Sequence, residues 1–328
     1  MIRSAARAAV AAKSLATWLA ICVALLASAV GSAKAQPVAE SKSRLDVIVL
    51  GSGGPGATGR AGSAYLVLLD GMPRILVDAG PGSFVRIGEA GVPLTAIDTI
   101  LLTHLHADHA GELPGIVKAL AVSRRSRIQL RVFGPDGRAA DESHAAFPST
   151  RRLIDLLFGP AGAFGYLANF SAPVSFATMD IATQRAGAPP VVQSIVNEGG
   201  LTVRAIAGHH RDAPSVIYRI DYAGRSVTFT GDIDAKGHAA LRRIASGTDL
   251  LVFNSVVLDP PLSPEILYTL HTPPGEIGAI AADAHVERLL LSHLSPATDE
   301  HRDAVRESIA RRFAVPVEFA SDGARITP

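Results

Sequence analysis

Four side chains that can bind a metal ion lie within the six residues from 104 to 109. The sequence there has the form His104-x-His106-x-Asp108-His109. Imidazole nitrogens and a carboxylate suit Zn²⁺, Mn²⁺ or Fe²⁺. The alternate spacing lets His104 and His106 point to one metal ion, while Asp108 and His109 turn toward a second. A polar loop with solvated histidines is the alternative, but three histidines beside one aspartate make it the weaker interpretation.

The elements around this cluster predict how it is held. Ile100–Thr103 is an apolar segment typical of a buried strand, and Ala110–Val122 has helical spacing. Loops that follow buried strands commonly present functional groups. The stretch from Asp141 to Pro190 mixes helix-like and loop-like composition and is assigned to neither. The other predicted strands are Leu45–Leu50, Ser63–Asp70, Arg74–Asp78, Ile128–Phe133, Leu201–Ala207, Ser215–Tyr222, Ser226–Thr230 and Leu250–Phe253, and the other predicted helices are Pro274–Ala284 and Glu300–Phe313.

The amino terminus has the pattern of a secretory signal peptide. Arg3, Arg7 and Lys13 precede an apolar run at 15–30, and the small residues around Ala35 form a cleavage site. An uncleaved membrane anchor is the alternative, but the run is shorter than the ~20 apolar residues that a span needs. We therefore predict a signal peptide over residues 1–35, a polar lead-in over 36–43 and one domain over 44–328. The protein would be exported to the periplasm or secreted, with no stable membrane anchor.

Cleavage would also change the charge and remove the only thiol. The chain has 31 basic and 30 acidic residues, and removing the four basic residues of 1–35 leaves 27 against 30, a net charge of −3. No basic field remains to hold a polyanion. Cys22 is the sole cysteine and leaves with the signal peptide, which excludes a metal site built on thiolate. We therefore expect a small-molecule substrate and no nucleic acid. The sequence contains no signal for a particular oligomeric state.

The motif at 104–109 resembles the metal-binding signature of the metallo-β-lactamase superfamily. The resemblance runs from about Leu45 to the carboxyl terminus. It implies an α+β fold, a four-layer αββα sandwich, with two divalent metal ions at one edge of its sheets and zinc as the preferred metal. Strand and helix segments that alternate along the chain also predict layers of both kinds.

The resemblance implies that more distant residues complete the ligand set. His209 and His210 both follow a predicted strand, and the resemblance selects His210. It gives Asp232, in Gly231-Asp232, the role of bridging both ions, and it gives the second ion His293. The implied first site is His104, His106, His210 and Asp232. The implied second site is Asp108, His109, Asp232 and His293.

Two metal ions that share a water make it hydroxide at neutral pH, which implies hydrolysis. Asp108 would also orient that hydroxide. His271 matches a histidine in the ribonuclease Z-like branch that contacts the scissile group. It would stabilise a developing oxyanion or protonate the leaving oxygen, with a surface or helix-capping histidine as the alternative. Asp78 resembles the buried aspartate that braces the ligand loop.

A glycine motif offers a competing interpretation. Residues 51–56 fit G-x-G-x-x-G after a predicted strand. A dinucleotide site also requires a helix directly after the glycines. Residues 57–63 lack a helical apolar period, and another predicted strand follows. The loop is therefore predicted to turn a hairpin and to border the mouth of the active site.

The branch follows from the order of the later motifs. Gly208-His209-His210 differs from the Gly-His-Thr/Ser-Pro-Gly-His of the β-lactamase and lactonase branches, and the set His210, Asp232, His271 and His293 resembles ribonuclease Z and secreted arylsulfatases. Phe253-Asn254-Ser255 stands where ribonuclease Z usually has His-Glu-Ala, so the acid that would assist His271 is replaced. We therefore predict an exported hydrolase of a small sulfate ester or phosphodiester. A lactonase or β-lactamase-like enzyme and a non-catalytic metal-binding protein are the alternatives.

Overall fold

The computed structural model describes residues 44–56, 58–123, 126–142, 144–170, 173–183, 189–211 and 213–328. The predicted signal peptide and polar lead-in lie outside these ranges, so cleavage after Ala35 and export stay predictions. Among the helices in the described ranges, none is long and apolar enough to cross a membrane.

The first sheet has seven strands in the order β14-β1-β2-β3-β4-β5-β6. Strands β3, β4, β5 and β6 are parallel to one another, whereas β1 pairs antiparallel with both β2 and β14. The strands are β1 Leu45–Gly51, β2 Ala64–Leu69, β3 Met72–Val77, β4 Thr99–Leu101, β5 Ile128–Pro135, β6 Val174–Ile181 and β14 Arg325–Ile326.

The second sheet also has seven strands, in the order β13-β12-β11-β10-β9-β8-β7. Strands β10, β11, β12 and β13 are parallel, and β9 runs antiparallel between β8 and β10. The strands are β7 Gln193–Glu198, β8 Leu201–Ala207, β9 Val216–Tyr222, β10 Arg225–Phe229, β11 Leu250–Asn254, β12 Arg288–Ser292 and β13 Val317–Phe319.

Helices cover the outer face of each sheet. In the described ranges they are α1 Ser83–Glu89, α2 Ala107–Ala110, α3 Leu113–Ser123, α4 Thr150–Phe158, α5 His238–Ile244, α6 Glu265–Tyr268, α7 Pro274–Asp283, α8 Pro296–Glu300 and α9 Arg302–Ala310, with 3₁₀ turns at Leu94–Ala96, Gly165–Asn169 and Ala235–Gly237.

The side-chain alternation of β1 shows how the layers form. Leu45 and Val47 point into the core between the sheets, where they join Tyr218 of β9. Ile48 and Leu50 point the other way, into a second core with Leu120 of α3 and other residues of the helical layer. A third core joins the outer face of the second sheet to α5, α7 and α9. Because successive residues of a strand face opposite sides, each sheet buries both faces. The predicted four-layer αββα sandwich is confirmed.

Strand direction brings the functional loops to one edge. In the second sheet, β8, β10, β11 and β12 all run the same way, so their carboxyl ends meet at the same edge. Strands β3 and β4 end at adjacent positions of the first sheet, where Val77 is paired with Leu101. A backbone hydrogen bond from Val216 to the carbonyl of Thr103, at 2.7 Å, joins the two sheets beside this edge.

Two expectations about individual elements need correction. The predicted helix Ala110–Val122 begins instead at Leu113, after the separate short helix α2. Pro114 explains the break, because proline is tolerated in the first turn of a helix but not in its interior. The unassigned stretch 141–190 contains α4 and β6. Ser149 caps α4 by accepting a hydrogen bond from the backbone N–H of Arg152 at 3.2 Å.

Candidate metal centre

Three histidines converge at the first position. His104 and His106 follow β4, and their Nε2 and Nδ1 atoms lie 3.1 Å apart. His210 follows β8, and its Nε2 lies 3.5 Å from Oδ2 of Asp232. One nitrogen from each histidine falls within 4.8 Å of the other two. Such a spacing lets three nitrogens face one ion, as the sequence predicted for this set.

A second group faces the neighbouring position. Asp108 and His109 lie on α2, and His293 follows β12. His293 Nε2 is 3.1 Å from Oδ2 of Asp108, and one ligand atom of each residue lies within 4.8 Å of the others. The ring of His293 stacks on that of His109 with centroids 5.1 Å apart. The structure therefore brings together two trios, each with the residues that the sequence assigned to it.

Asp232 lies between the two trios. Its Oδ1 is 3.7 Å from Nε2 of His109 and 3.5 Å from Nε2 of His293. Its Oδ2 lies on the other side, 3.5 Å from Nε2 of His210 and 3.9 Å from Nε2 of His104. A carboxylate with one oxygen toward each trio has the geometry of a bridging ligand.

Asn254 fixes the orientation of that carboxylate. Its Nδ2 donates a hydrogen bond of 2.7 Å to Oδ1 of Asp232, and both side chains are buried. Asn254 ends β11, beside the strand that leads to Asp232, so the parallel register places the two together. Sequence reasoning took this position only as the loss of an acid near His271. The signal it missed was the position of Asn254 at the carboxyl end of a strand.

Asp78 braces the loop that carries the first ligands. It accepts hydrogen bonds from the backbone N–H of Thr103 at 2.7 Å and from its hydroxyl at 2.8 Å. The ring of His109 places Nδ1 2.8 Å from the same carboxylate. Asp78 has φ +58°, in the left-handed region that non-glycine residues seldom adopt. This contact leaves Nε2 of His109 free to face the second position.

The loop of His210 is tied to the loop of Asp232. Asp234 accepts a hydrogen bond of 2.7 Å from the backbone N–H of Arg211 and lies 2.7 Å from Nδ1 of His209. Its own N–H donates to the carbonyl of His209. His209 therefore acts as a structural partner of Asp234. Nδ1 of His210 lies 2.9 Å from the carbonyl oxygen of Leu270, which leaves Nε2 to face Asp232.

The buried polar atoms of the centre fit divalent cations. Nε2 of His109 is buried and has no hydrogen-bond partner in the described part of the chain. An unpaired buried nitrogen is costly, and a metal ion would satisfy it. His293 has φ +53°, and strained backbone of this kind is concentrated at functional sites. The donor set of imidazole and carboxylate suits zinc and similar ions.

Burial and neighbouring charges shift the pKa values of these side chains in different directions. Burial lowers the pKa of His104 well below its usual value and also lowers the pKa of His106. Burial alone would lower the pKa of His109 too, but the charge and hydrogen bond of Asp78, together with the charges of Asp232 and Asp108, outweigh burial and raise this pKa to about 9. Burial would raise the pKa of Asp232, but the neighbouring histidines, His293 foremost, lower it well below the usual value. His109 therefore holds a proton near neutral pH.

We expect metal binding to release a proton from His109. A protonated imidazole cannot be a ligand, so at about pH 7 loading should release about one proton per chain from this group. Apparent affinity should rise with pH and level off near the His109 pKa of about 9. Titration calorimetry in buffers of different ionisation enthalpy measures the release. Equal heats in all buffers near neutral pH would contradict this assignment.

His271 lies at the mouth of the first position. Its Nδ1 is 4.0 Å from Oδ2 of Asp232 and has no hydrogen-bond partner in the described ranges. Burial lowers the pKa of His271 to about 4, so the ring is neutral at pH 7. The neighbouring hydroxyl of Thr272 donates to the carbonyl of Ile233 and fixes this segment. A neutral imidazole offers an N–H hydrogen bond, which favours the oxyanion role over proton donation.

The glycine loop borders the centre as predicted. No helix follows the glycines in the described residues of 51–63, and β2 begins at Ala64. Gly54, Pro55 and Gly56 line the cavity in front of the ligands. A Cβ atom on Gly54 would lie only 2.4 Å from Cε1 of His293. The glycine at this position allows the loop to approach the ring of His293 closely, which accounts for it without a dinucleotide.

The sequence matches the profile of the beta-lactamase superfamily domain over residues 73–294. The chain belongs to the metallo-β-lactamase superfamily. A ribonuclease Z from Mycobacterium avium (strain 104) is 30% identical over 292 residues, which cover 86% of this chain and 98% of that protein. Superfamily members of known structure share the fold. The short form of human tRNase Z has a TM-score of 0.64 at 20% identity and covers 86% of this chain and 98% of its own. The metallo-β-lactamase fold protein YhfI from Bacillus subtilis has a TM-score of 0.62 at 20% identity, covering 88% and 100%.

These comparisons identify a metal-dependent hydrolase with a divalent metal centre, and they correct two predictions. The prediction of a small sulfate ester or phosphodiester as substrate is wrong, because the relatives are named ribonuclease Z and tRNase Z. The prediction of no nucleic acid partner is wrong for the same reason. The inference from net charge was wrong, because a total charge of −3 for residues 36–328 does not describe the local electrostatic field at a site that binds divalent cations.

Proposed function

We propose that this protein is a metal-dependent phosphodiesterase that cleaves RNA. The observation that carries the proposal is the pair of ligand trios that share Asp232, in a chain that matches a ribonuclease Z over almost the whole length of that protein. Two adjacent cation positions suit phosphodiester cleavage, because two cations can stabilise both the attacking and the leaving oxygen.

The ligand roles and the number of ions belong to this proposal. His104, His106 and His210 would hold one ion, Asp108, His109 and His293 the other, and Asp232 would bridge them. Zinc is the preferred metal because the donors are imidazoles and carboxylates. When bound, a pair of divalent cations supplies Lewis acidity, which polarises a phosphoryl oxygen and activates water.

The chain's own residues then supply orientation and one neutral donor. Asn254 holds the bridging carboxylate through its 2.7 Å hydrogen bond, and Asp78 holds His109 at 2.8 Å. The carboxylate of Asp108 lies at the second position, with Oδ2 3.1 Å from Nε2 of His293, where it can also orient an attacking water. The neutral ring of His271 faces the space in front of Asp232 and would donate an N–H to a developing oxyanion.

The test combines metal content with cleavage of labelled RNA. The purified protein, loaded with zinc, would be given a precursor transfer RNA, an unstructured RNA of the same length and DNA of the same sequence. We expect about two ions per chain and cleavage of RNA that chelation abolishes and zinc restores. An Asp232→Asn variant, purified in parallel, controls for contaminating ribonuclease. Intact RNA after incubation with protein that carries two ions per chain would overturn the proposal.

A further inference from the structure

A cavity of about 520 Å³ opens directly onto the ligands of the centre. His106, Asp108, His210, Asp232, His271 and His293 contribute to its lining on the side of the centre. Its other walls are mainly apolar and come from four separate segments. The apolar side chains of these walls are Pro55, Val256, Leu267, Leu270, Leu294 and Pro296, and Ala107 adds a methyl group on the side of the centre.

The described residues of the cavity walls include no cationic side chain. Neither lysine nor arginine is among the described residues that line it, and the polar groups apart from the centre are the hydroxyls of Thr58 and Ser295. The nearby Arg60 is directed away, into a pair with Asp299 at 2.8 Å. A phosphate group placed against these walls would be buried without a counter-charge, which is strongly unfavourable.

The charge of the centre also limits what it can neutralise. Two divalent cations would bring four positive charges, and the carboxylates of Asp78, Asp108 and Asp232 would offset three of them. One positive charge remains before a hydroxide is bound and none remains afterwards, so the centre neutralises at most the single negative charge of a phosphodiester. Nothing in the described cavity lining can take up a second negative charge beside it.

We propose that this apolar wall accommodates a neutral ring of the substrate, directly beside the scissile phosphodiester. In RNA the ring would be one unstacked base, so the wall would favour a cleavage site where a base can turn out of the stack. A planar ring buries a large apolar area against leucine, valine and proline side chains. The charge count rests on the proposed function, whereas the apolar wall does not.

The test measures binding of three monophosphodiesters to the zinc-loaded protein by calorimetry. Methyl phenyl phosphate should bind about thirtyfold more tightly than dimethyl phosphate, because the two differ by one ring. Methyl 4-carboxyphenyl phosphate should bind about tenfold more weakly than the phenyl ester, because its second negative charge would be placed against the apolar wall. Equal affinity for the phenyl and methyl esters would overturn the inference.

A matched pair of variants locates the ring. Leu267→Asn lies in the cavity wall and should reduce the preference for the phenyl ester to about threefold. Leu262→Asn changes a leucine that is 71% exposed and outside the cavity, and should leave the preference intact. A preference that survives Leu267→Asn and the matching Leu270→Asn would overturn the inference.

The outcomes separate this inference from the proposed function. If RNA is cleaved but the ring makes no difference, the inference fails and the function stands. If the phenyl ester binds selectively but no RNA is cleaved, the inference stands and the function fails.

Discussion

Replacing Asp232 with alanine is expected to lower hydrolysis by at least about 10³-fold. It should also reduce bound metal from two ions per chain to one or none. The reason is geometric: the two oxygens of Asp232 face different trios, at 3.5 Å from His210 on one side and 3.5 Å from His293 on the other. No other carboxylate among the described residues lies between both trios. The alanine variant therefore has no charged side chain that both metal positions can share.

Kinetics and elemental analysis of the Asp232→Ala protein check this result. Asp303→Ala is the matched control, because the Asp303 side chain is fully exposed on α9 and its one ion pair within the described residues is with Arg306 of the same helix. The control should keep both ions and the wild-type rate. Circular dichroism should show both variants folded, since the three apolar cores do not include Asp232. A variant with two tightly bound ions and a rate within tenfold of wild type would show that Asp232 is not the bridge.

The residues of the site that could be predicted are recognisable from their type and their position in the sequence. The histidines at 104, 106 and 109 are close in sequence, so their shared role follows from spacing. The more distant ligands each stand just past an apolar run, and parallel strands bring such positions to one edge. His210 could be chosen over His209 only through resemblance, and the pairing of His209 with Asp234 now gives the physical reason why both are present.

The unpredictable part depends on contacts between segments far apart in the chain. Gly54 meets His293 across 239 residues, and Asn254 meets Asp232 because β10 and β11 are neighbours in register. No local pattern encodes either contact. The predicted substrate was also wrong, because composition and total charge report on the whole surface. A metal centre acts through its local charge, which the ligand list alone does not reveal.

Gly54→Ala is expected to remove one metal ion per chain and to lower activity about 100-fold, although Gly54 is not itself one of the proposed metal ligands. The new Cβ would lie 2.4 Å from Cε1 and 2.8 Å from Nδ1 of His293, well inside van der Waals contact. The ring has little room to retreat, because it is buried and stacks on His109. It would have to turn, and Nε2 would leave its place 3.1 Å from Asp108 and 3.5 Å from Asp232.

The neighbouring Gly56→Ala is the control for this substitution. A Cβ there would meet only the side-chain methyl of Thr58, at 3.2 Å, and that side chain can rotate away. Both variants add one methyl group to the same loop, so a difference between them isolates contact with His293 from loop stiffness. Elemental analysis should find about one ion per chain in Gly54→Ala and two in Gly56→Ala. If both variants kept two ions, the loop would have room to move outward, and the close approach of Gly54 would not be what holds the second position together.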